Sequence, residues 1–465
     1  MNDQKPFERF LSERFDEFGP GRPMSDETRE DLRLQAYETR QRPRWLALIE
    51  ERPMRTDSHL AVGSPTARVM AIVVATVLLL ALVAGAGIAG SRLLASDGAI
   101  VVAQDGSGEF TSIGDAVEAA GDGDTILVRP GTYAERIDVV GKDLTIRGDG
   151  DRAGIIVEAV LSSSPLPAWG RYPAEMGVAI RLQATDSVLS NLTIVNTLAG
   201  IAITVTGEGA TAMLDGLDIR LTAPWDDLSL PQAIHSPVTW DVGTAGTLRD
   251  STVEGLVHVA MGSDVILEGN RMNDACVMVH GPDAGVTLRD NVVTSCPYEF
   301  VVRVSGHAII EGNDLSIVDS DLGIGSTGRG SVIIVDSYPN AGNVTLVRDN
   351  DIHDGVTGVE VFPDREAEIL GNRLSELETG VAVSASETRV SDNTVTGNST
   401  GVFVPERAPT LEGNIIEGNG VGLRVGLARP VLIDNRICDN EVNLQLTGST
   451  QPETGGNEIC PDEAA

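Results

Sequence analysis

The sequence predicts an all-β fold, a single-stranded right-handed parallel β-helix built from coils of 21–22 residues, with an N-terminal cap helix. Ahead of this solenoid we expect a transmembrane helix and a short, partly α-helical cytoplasmic segment. Three observations carry the prediction: a long uncharged run near the N-terminus, an asparagine-centred motif that recurs at a fixed step, and apolar segments too short to be helices.

The uncharged run is Val69–Gly90, and it is 22 residues long. At about 1.5 Å per residue, a helix of this length crosses the hydrocarbon core of a bilayer. Arg52, Arg55 and Arg68 precede the run, whereas Arg92 is the basic residue just beyond it, so the positive-inside rule places the N-terminus in the cytoplasm. A buried core helix and a cleaved signal peptide are the alternatives, and the long preceding segment disfavours the second. We therefore expect a single-pass protein of the cell membrane with an extracytoplasmic β-helix.

This topology divides the chain into five parts. They are a cytoplasmic segment (1–68), the transmembrane helix (69–90), a linker (91–98), the β-helix domain (99–460) and a tail (461–465). The first part has phenylalanines at helical spacing, which is typical either of a docking helix for a cytoplasmic partner, here unknown, or of a helix without one.

The charge is concentrated in the exported part. The chain has 34 basic and 68 acidic side chains, and the first 68 residues contain 12 and 13 of them, so −33 of the net −34 lies beyond residue 68. Such a surface repels phosphate backbones, which excludes nucleic acid as a partner. It also disfavours acidic polysaccharides unless a divalent cation lies between.

The recurring motif is a large aliphatic residue, two further residues, Asn, one residue and another aliphatic. From Asn350 onward the steps between copies are 22, 21, 21, 21 and 22 residues. A period this short indicates a solenoid, and we expect its asparagines to form an inward ladder, each amide bonding those above and below. The predicted ladder is Asn270, Asn291, Asn313, Asn350, Asn372, Asn393, Asn414 and Asn435, with Asn457 as a weak last copy and Asn191 as an earlier one.

Within each period, two or three apolar bursts of Val, Ile and Leu are separated by Gly, Asp and Asn. Segments so short are typical of strands. We expect roughly 13–14 coils, each rising about 4.8 Å. The open end of such a stack needs a cover. "TSIGDAVEAA" predicts a cap helix with Thr111 or Ser112 as N-cap and with Ile113, Ala116, Val117 and Ala120 on its buried face.

Here the sequence also resembles known families. "VVAQDGSGEFTSIGDAVEAAGDGDTILVRPGTYAERIDV" is similar to the N-terminal cap of pectin-methylesterase-like proteins of the pectin-lyase-like fold. The Asn-bearing repeats resemble the generic parallel β-helix repeat, also found in periplasmic proteins of copper-enzyme maturation. The resemblance covers about residues 99–460 and implies the fold, but it implies no particular activity.

Four cysteines form two pairs with the spacing of one coil. Cys438 and Cys460 each follow a ladder Asn by three residues, and Cys276 and Cys296 are 20 residues apart. Stacked residues of adjacent coils lie within the Cα range of a disulfide, and an exported domain permits oxidation. We expect both disulfides rather than a metal site, because no CxxC spacing is present.

Three insertions lengthen the coils, at about 161–176, 222–236 and 315–330, each before the strand that begins with Gly. Enzymes of the resembled fold place their sites on the face of that strand, beside such loops. The catalytic candidates are His258, Arg303, Asp226, Asp227 and His235. The ligand-binding candidates are Trp225, Trp169, Tyr172 and Glu360. Trp225 could stack on a sugar, and the Asp226–Asp227 pair could hold Ca²⁺. Alternatively, the loops bury their own tryptophans against the solenoid and form no site.

Family signatures of catalysis are absent: neither the motifs of pectin methylesterases nor those of polygalacturonases or lyases occur in the sequence. The exported histidines share no repeat phase, so a copper cluster is not expected, and no metal site or cofactor is assigned apart from the calcium alternative. Two functions stay open. The first is a membrane-anchored, non-enzymatic protein that binds a ligand in the envelope or outside the cell, or is displayed toward such a ligand. A carbohydrate is the preferred ligand. The second is a carbohydrate-active enzyme, that is, a polysaccharide lyase, hydrolase or epimerase.

Overall fold

The computed structural model describes residues 98–162, 176–198, 200–221, 236–281, 283–294, 300–317, 330–336, 344–447 and 451–462. All of them belong to the second of two compact units, Gly90–Ala465. Residues 1–68, predicted to be cytoplasmic, and the run 69–90, predicted to span the membrane, lie outside the described residues. No helix within the described ranges has the length and apolarity needed to cross a membrane.

The described strands form two hydrogen-bonded sheets, of 15 and 24 strands. The larger one consists of two columns of strands joined by strands that run through both, and we call these columns the second and third sheets, so each coil passes through three faces in turn. The first sheet has 15 strands, one or two more than the predicted number of coils. They are β1 (Ile100–Val102), β2 (Thr125–Val128), β5 (Thr145–Gly148), β9 (Asp186–Ser190), β12 (Thr211–Asp215), β15 (Ala245–Arg249), β17 (Asp264–Glu268), β19 (Gly285–Arg289), β22 (His307–Glu311), β25 (Thr345–Arg348), β27 (Ala367–Leu370), β29 (Arg389–Ser391), β32 (Thr410–Glu412), β35 (Val431–Ile433) and β38 (Glu453–Gly455).

The second sheet follows the asparagine turn. Its strands are β3 (Gly131–Ala134), β6 (Ile155–Glu158), β10 (Thr193–Asn196), β13 (Asp218–Leu221), β16 (Thr252–Val259), β18 (Arg271–Val279), β20 (Val292–Thr294), β23 (Asp314–Ser316), β26 (Asp351–Val361), β28 (Arg373–Val383), β30 (Thr394–Thr396), β33 (Ile415–Glu417), β36 (Arg436–Ile437) and β39 (Glu458–Ile459). Four of these, β16, β18, β26 and β28, continue without a break into the third sheet.

The third sheet contains the Gly-led strands. Besides the second halves of those four, it comprises β4 (Ile137–Val140), β8 (Met176–Gln183), β11 (Gly200–Thr206), β14 (Val238–Trp240), β21 (Phe300–Val304), β24 (Ser331–Val335), β31 (Thr400–Val404), β34 (Val421–Val425) and β37 (Val442–Leu446). A short strand, β7 (Val160–Ser162), pairs antiparallel with β8, and a 3₁₀ turn spans Arg152–Gly154. The predicted parallel β-helix is therefore confirmed.

The N-terminal end is covered by the predicted helix, α1 (Ile113–Ala119). Ser112 is its N-cap and accepts from the backbone N–H of Asp115, while Ile113, Ala116 and Val117 are buried. The Glu135 carboxylate accepts from the N–H groups of Ile113 and Gly114 at 2.8 and 2.9 Å. At the other end, Lys142 Nζ donates to the carbonyl of Val117 at 2.7 Å. An anion at the N-terminus and a cation at the C-terminus both stabilise a helix, so the first coils hold the cap at its two ends.

The asparagine ladder is continuous from Asn270 to Asn457. Each side-chain amide donates to the side-chain carbonyl of the next coil at 2.8–3.0 Å. The same carbonyl also accepts from the backbone N–H of the preceding Asn, as Asn414 Oδ1 does from the Asn393 N–H at 3.0 Å. Because each turn would otherwise bury unpaired backbone groups, the ladder supplies their hydrogen bonds.

One early copy was aligned wrongly by one residue. Asn191 has φ of +55°, and its counterparts before each ladder position also have positive φ. Leu192 occupies the ladder position itself. In the ladder region the residue at this left-handed position alternates between Asp and Gly: Asp250, Gly269, Asp290, Gly312, Asp349, Gly371, Asp392, Gly413, Asp434 and Gly456. Asn tolerates the left-handed conformation as Asp does, which explains why the motif alone misled the alignment.

A second ladder stands at the turn between the second and third sheets. Asn398, Asn419, Asn440 and Asn443 pass amide hydrogen bonds from one to the next at 2.9–3.0 Å. Asn443 then donates to the carbonyl of Cys460 at 3.2 Å, and its N–H donates to Asp462 at 2.8 Å. The C-terminal segment therefore closes this ladder.

That segment is tied down by the disulfide Cys438–Cys460, whose Cα atoms are 4.9 Å apart. This predicted pair is confirmed. Cys276 is also disulfide-bonded, and its predicted partner Cys296 lies outside the described residues. Valine, isoleucine and leucine fill the interior between the sheets, with Trp240 and Tyr133 as its largest fully buried side chains. Trp240 belongs to the core and is not available to a ligand.

Candidate functional site

The third sheet aligns one outward side chain per coil into a column, which we call the outward column. Strand register places Met278 beside His258, Arg303 beside Met278, and Glu360 two strands beyond Arg303. The four sequence-predicted positions on this strand therefore do lie on one face. In full, the column is Asp138, Arg181, Thr204, Thr239, His258, Met278, Arg303, Ile334, Glu360, Ala382, Phe403, Arg424 and Gln445.

Asp138 and Arg181, at the N-terminal end of the column, are partly exposed, and beyond them exposure divides the column into a covered half and an open half. Thr204 and Thr239 are fully buried and His258 is 5% exposed, although all three point away from the core. From Met278 onward, every member is partly exposed. The open half of the column therefore runs from Met278 to Gln445, and a ligand has access to that half.

His258 is the titratable group of the covered half. Burial, and secondarily the charge of His280, lower the pKa of His258 to about 4. The two rings lie 6.2 Å apart, centroid to centroid. At neutral pH His258 is thus uncharged and shielded, an arrangement that suits packing beneath a cover better than proton transfer to a bound ligand.

Arg303 is held in place at the start of the open half. Its guanidinium pairs with Asp336, with Nε at 3.1 Å from Oδ2, and lies 6.0 Å from the ring centroid of Phe300. A second arginine near Asp336, Arg365, is 3% exposed and donates to the carbonyl of Gly306 at 2.6 Å. Burial lowers the pKa of Arg365, opposed by the charge of Asp336. Asp336 therefore orients the Arg303 guanidinium, and 40% of the Arg303 side chain stays exposed.

Two coils farther along, the Glu360 carboxylate accepts from the hydroxyl of Ser331 at 2.7 Å. Beyond Ala382 comes a stacked pair, in which the guanidinium of Arg424 lies 6.0 Å from the ring centroid of Phe403. Arg424 Nε also donates to Gln445 Oε1 at 2.8 Å. The open half thus offers an aromatic face, two oriented guanidinium groups, a carboxylate and an amide.

Sequence reasoning missed Phe403, Arg424 and Gln445. The signal was nevertheless present, because "GVFV" and "VGLRV" belong to the same Gly-led strands that pointed to Glu360 in "GVEV". Alternation of inward and outward residues along each strand would have placed them on the column.

Several predicted site residues cannot be placed. Trp169, Tyr172, Trp225, Asp226, Asp227 and His235 lie outside the described residues, within 163–175 and 222–235. The calcium prediction at Asp226 and Asp227 therefore stays a prediction.

Elsewhere in the described chain, polar clusters have structural partners. His353, on the second sheet, lies between Asp314 and Asp354 at 2.9 and 2.8 Å. Burial acts to lower its pKa, but the hydrogen bonds to the two carboxylates outweigh burial and the pKa is raised. Among the described residues, one group of three side chains has metal-ligand spacing, Cys438, Glu458 and Cys460, and its two sulfurs are joined to each other.

Comparison with known proteins agrees with this architecture. Residues 275–436 match the family model described as "Right handed beta helix region". No curated protein matches the chain.

Three solved structures are similar to the chain at low identity. Tailspike protein 3 of bacteriophage CBA120 is 12% identical, over 75% of this chain and 58% of its own, with a TM-score of 0.46. The periplasmic alginate epimerase AlgG is 11% identical over 70% and 76%, with a TM-score of 0.39. The A-module of the Azotobacter vinelandii mannuronan C-5 epimerase AlgE6 is 15% identical over 75% and 94%, with a TM-score of 0.35.

With TM-scores below 0.5, these structures identify no ligand for this chain. The repeat, the parallel sheets and the match over residues 275–436 together show that the described part of the chain is a right-handed parallel β-helix.

Proposed function

We propose that this protein is a membrane-anchored, extracytoplasmic β-helix that binds a carbohydrate on the open half of the outward column without transforming it. The observation that carries the proposal is the stacked Phe403–Arg424 pair, on the same face as Arg303 and Glu360. An aromatic face next to oriented polar groups is the combination that recognises a sugar ring and its hydroxyls.

The spacing of the column suits an extended ligand. Arg303 and Arg424 are five strands apart in the third sheet, which corresponds to about 24 Å at the usual strand spacing. Several sugar residues span that length. Asp336 pairs with Arg303, and Glu360 lies between the two arginines, so positive and negative groups balance on this face, and an acidic glycan would meet less repulsion here than over the acidic parts of the domain. A cation held at Asp226 and Asp227 would reduce the repulsion further.

The membrane part of the proposal rests on the run 69–90 and on the arginines before it. The Cys438–Cys460 disulfide supports an oxidising compartment for the β-helix. A protease added to intact cells should therefore remove the β-helix and spare residues 1–68. Protection of the β-helix instead would reverse the orientation.

A carbohydrate-active enzyme is the second candidate, favoured by one observation. Glu360 and Arg303 stand two strands apart on the column, about 10 Å by strand spacing, so a carboxylate and a guanidinium face the same ligand. The covered and uncharged His258 does not assist such chemistry, and for this reason binding is the leading proposal.

A glycan array probed with the chain in detergent tests both candidates, because each retained glycan can then be analysed for cleavage or epimerisation. We expect retention without product. Phe403→Ala combined with Arg424→Gln should abolish retention, whereas the control Arg389→Gln, the same loss of charge on the first sheet, should not. Retention that survives the double substitution would contradict the proposed site, and a product would favour the enzyme.

A further inference from the structure

The first sheet also has an outward column, and its central part is apolar. Six successive strands from β12 to β25 place Met213, Thr247, Ile266, Thr287, Ile309 and Leu346 side by side on the solvent face. Met213, Ile266 and Ile309 are 36–39% exposed, while the inward neighbours in the same strands are fully buried. We call these six residues the apolar stripe.

A column of alternating charge runs beside the stripe on the same six strands. In order, its members are Asp215, Arg249, Glu268, Arg289, Glu311 and Arg348. Within the chain they form pairs: Asp215 with Arg249 at 3.0 Å, Glu268 with Arg289 at 2.9 Å, and Glu311 with Arg348 at 2.6 Å. Three acidic and three basic groups make this column neutral on a domain that is otherwise strongly acidic. Two copies of the chain therefore repel each other least when these faces meet.

When the charged column is read in the opposite direction, each position has the opposite sign. A two-fold axis along the strand direction, between the rows of Ile266 and Thr287, would place a second copy face to face with its coils running the opposite way. Each charged residue then faces one of opposite sign: Asp215 faces Arg348, Arg249 faces Glu311, and Glu268 faces Arg289 of the second copy. With the coils running the same way, the charged column would instead face the other edge of the sheet.

The apolar stripe is complementary under the same operation. Thr247 faces Ile309, Ile266 faces Thr287, and Met213 faces Leu346, so a small side chain meets a large one in the four central rows. Alternation of large and small residues is how facing β-sheets interdigitate at about 10 Å. Size and charge therefore select the same two-fold arrangement independently.

From this double complementarity we propose that the protein forms an antiparallel homodimer through the first sheet. Six rows spaced about 4.8 Å, each about five residues wide, bury roughly 900 Å² in total, which lies at the low end of specific interfaces. The dimer is therefore weak and reversible. Salt screens the repulsion between two acidic domains, and the dimer strengthens with ionic strength until the facing charge pairs are themselves screened.

Cysteine cross-linking in the full-length chain, purified in detergent, tests the geometry. No described cysteine is free, so an introduced cysteine is the reactive thiol. Sheets that face each other at about 10 Å are too far apart for a direct disulfide, so a bifunctional maleimide of about 10 Å reach is used. With this reagent, a copy carrying Met213→Cys mixed with a copy carrying Leu346→Cys should form a cross-linked heterodimer. Met213→Cys alone should not cross-link, because its two copies would lie about 24 Å apart along the solenoid. Cross-linking of Met213→Cys with itself, or none in the mixture, would overturn the proposal.

Reversal of one charge tests the proposed ion pairs between the two copies, and it needs no introduced cysteine. In sedimentation, Arg289→Glu should weaken self-association by at least about tenfold, because it places two carboxylates against each other. The double exchange Glu268→Arg with Arg289→Glu restores both the pair within the chain and the pair across the axis, and it should restore the dimer. A chain that is monomeric at every concentration, or a dimer indifferent to Arg289→Glu, would contradict the proposal.

Discussion

The first and third sheets are built by the same coils, yet they present different surfaces. In the first sheet, all 15 strands lie within the described residues, and an apolar stripe and a neutral charge column cross its middle. In the third sheet, insertions enter before the strands, one half of the outward column is covered, and the other half presents Arg303, Glu360, Phe403 and Arg424.

The difference shows what the repeat determines and what it leaves free. Inward positions of both sheets contain the same Val, Ile and Leu, and these set the coil. Most outward positions contribute less to the core than the inward ones, so each face can acquire its own chemistry at little cost to the fold. We associate the first sheet with a second copy of the chain and the third with a ligand.

Removal of the disulfide at the C-terminal end should have the largest effect on stability. It should affect the first and third sheets alike. Cys438→Ser with Cys460→Ser opens a loop of 22 residues, which corresponds to about 3 kcal/mol of stability. Hydrogen exchange should show fraying of residues 451–462 and of the second Asn ladder that they close. An unchanged exchange pattern there would mean that packing alone holds the last coil.

The first Asn ladder should come next, again without preference for either face. Asn414→Leu removes the acceptor of Asn393 and a donor to Asn435, and should cost about 1–3 kcal/mol in urea unfolding. Asn457→Leu, at the half-buried last rung, should cost less because it has a neighbour on one side in this ladder. Equal costs at both positions would indicate that the inner rungs gain nothing from their second neighbour.

The covered half of the third sheet should be distinguished by its response to acid. The pKa of His258 is lowered to about 4, so the unfolded chain binds a proton below about pH 6.5 that the folded chain does not. Stability from this group is present above pH 6.5 and is lost as the pH falls toward 4, by about 2 kcal/mol between pH 6.5 and 5. His258→Gln should remove that decline, while His307→Gln on the first sheet should leave it. A decline that persists in His258→Gln would show that this histidine is not shielded.

Much of the fold could be predicted because the period is visible in single residues. The ladder from Asn270 to Asn435, the cap helix and the Cys438–Cys460 pair follow directly from the 21-residue step. The second ladder was missed although "GN" or "DN" recurs five residues after Asn393, Asn414 and Asn435. The prediction that Asn191 belongs to the ladder was wrong because Asn suits a left-handed turn as well as a ladder position.

The candidate site was less predictable for a physical reason. Alternation along a strand shows that His258 points outward, but its burial has no counterpart in the repeat, because the next residue of the outward column, Met278, is partly exposed. Partners such as Asp336 for Arg303 come from turns between sheets, where the 21-residue step is lost.

One paired measurement decides whether the first and third sheets act separately. Self-association and glycan retention would be measured in parallel for Arg289→Glu and for Phe403→Ala combined with Arg424→Gln. We expect the first variant to lose the dimer and keep glycan retention, and the second to keep the dimer and lose glycan retention, because distant sites act additively. If either variant abolished both properties while remaining folded, the separation of the two faces would be contradicted.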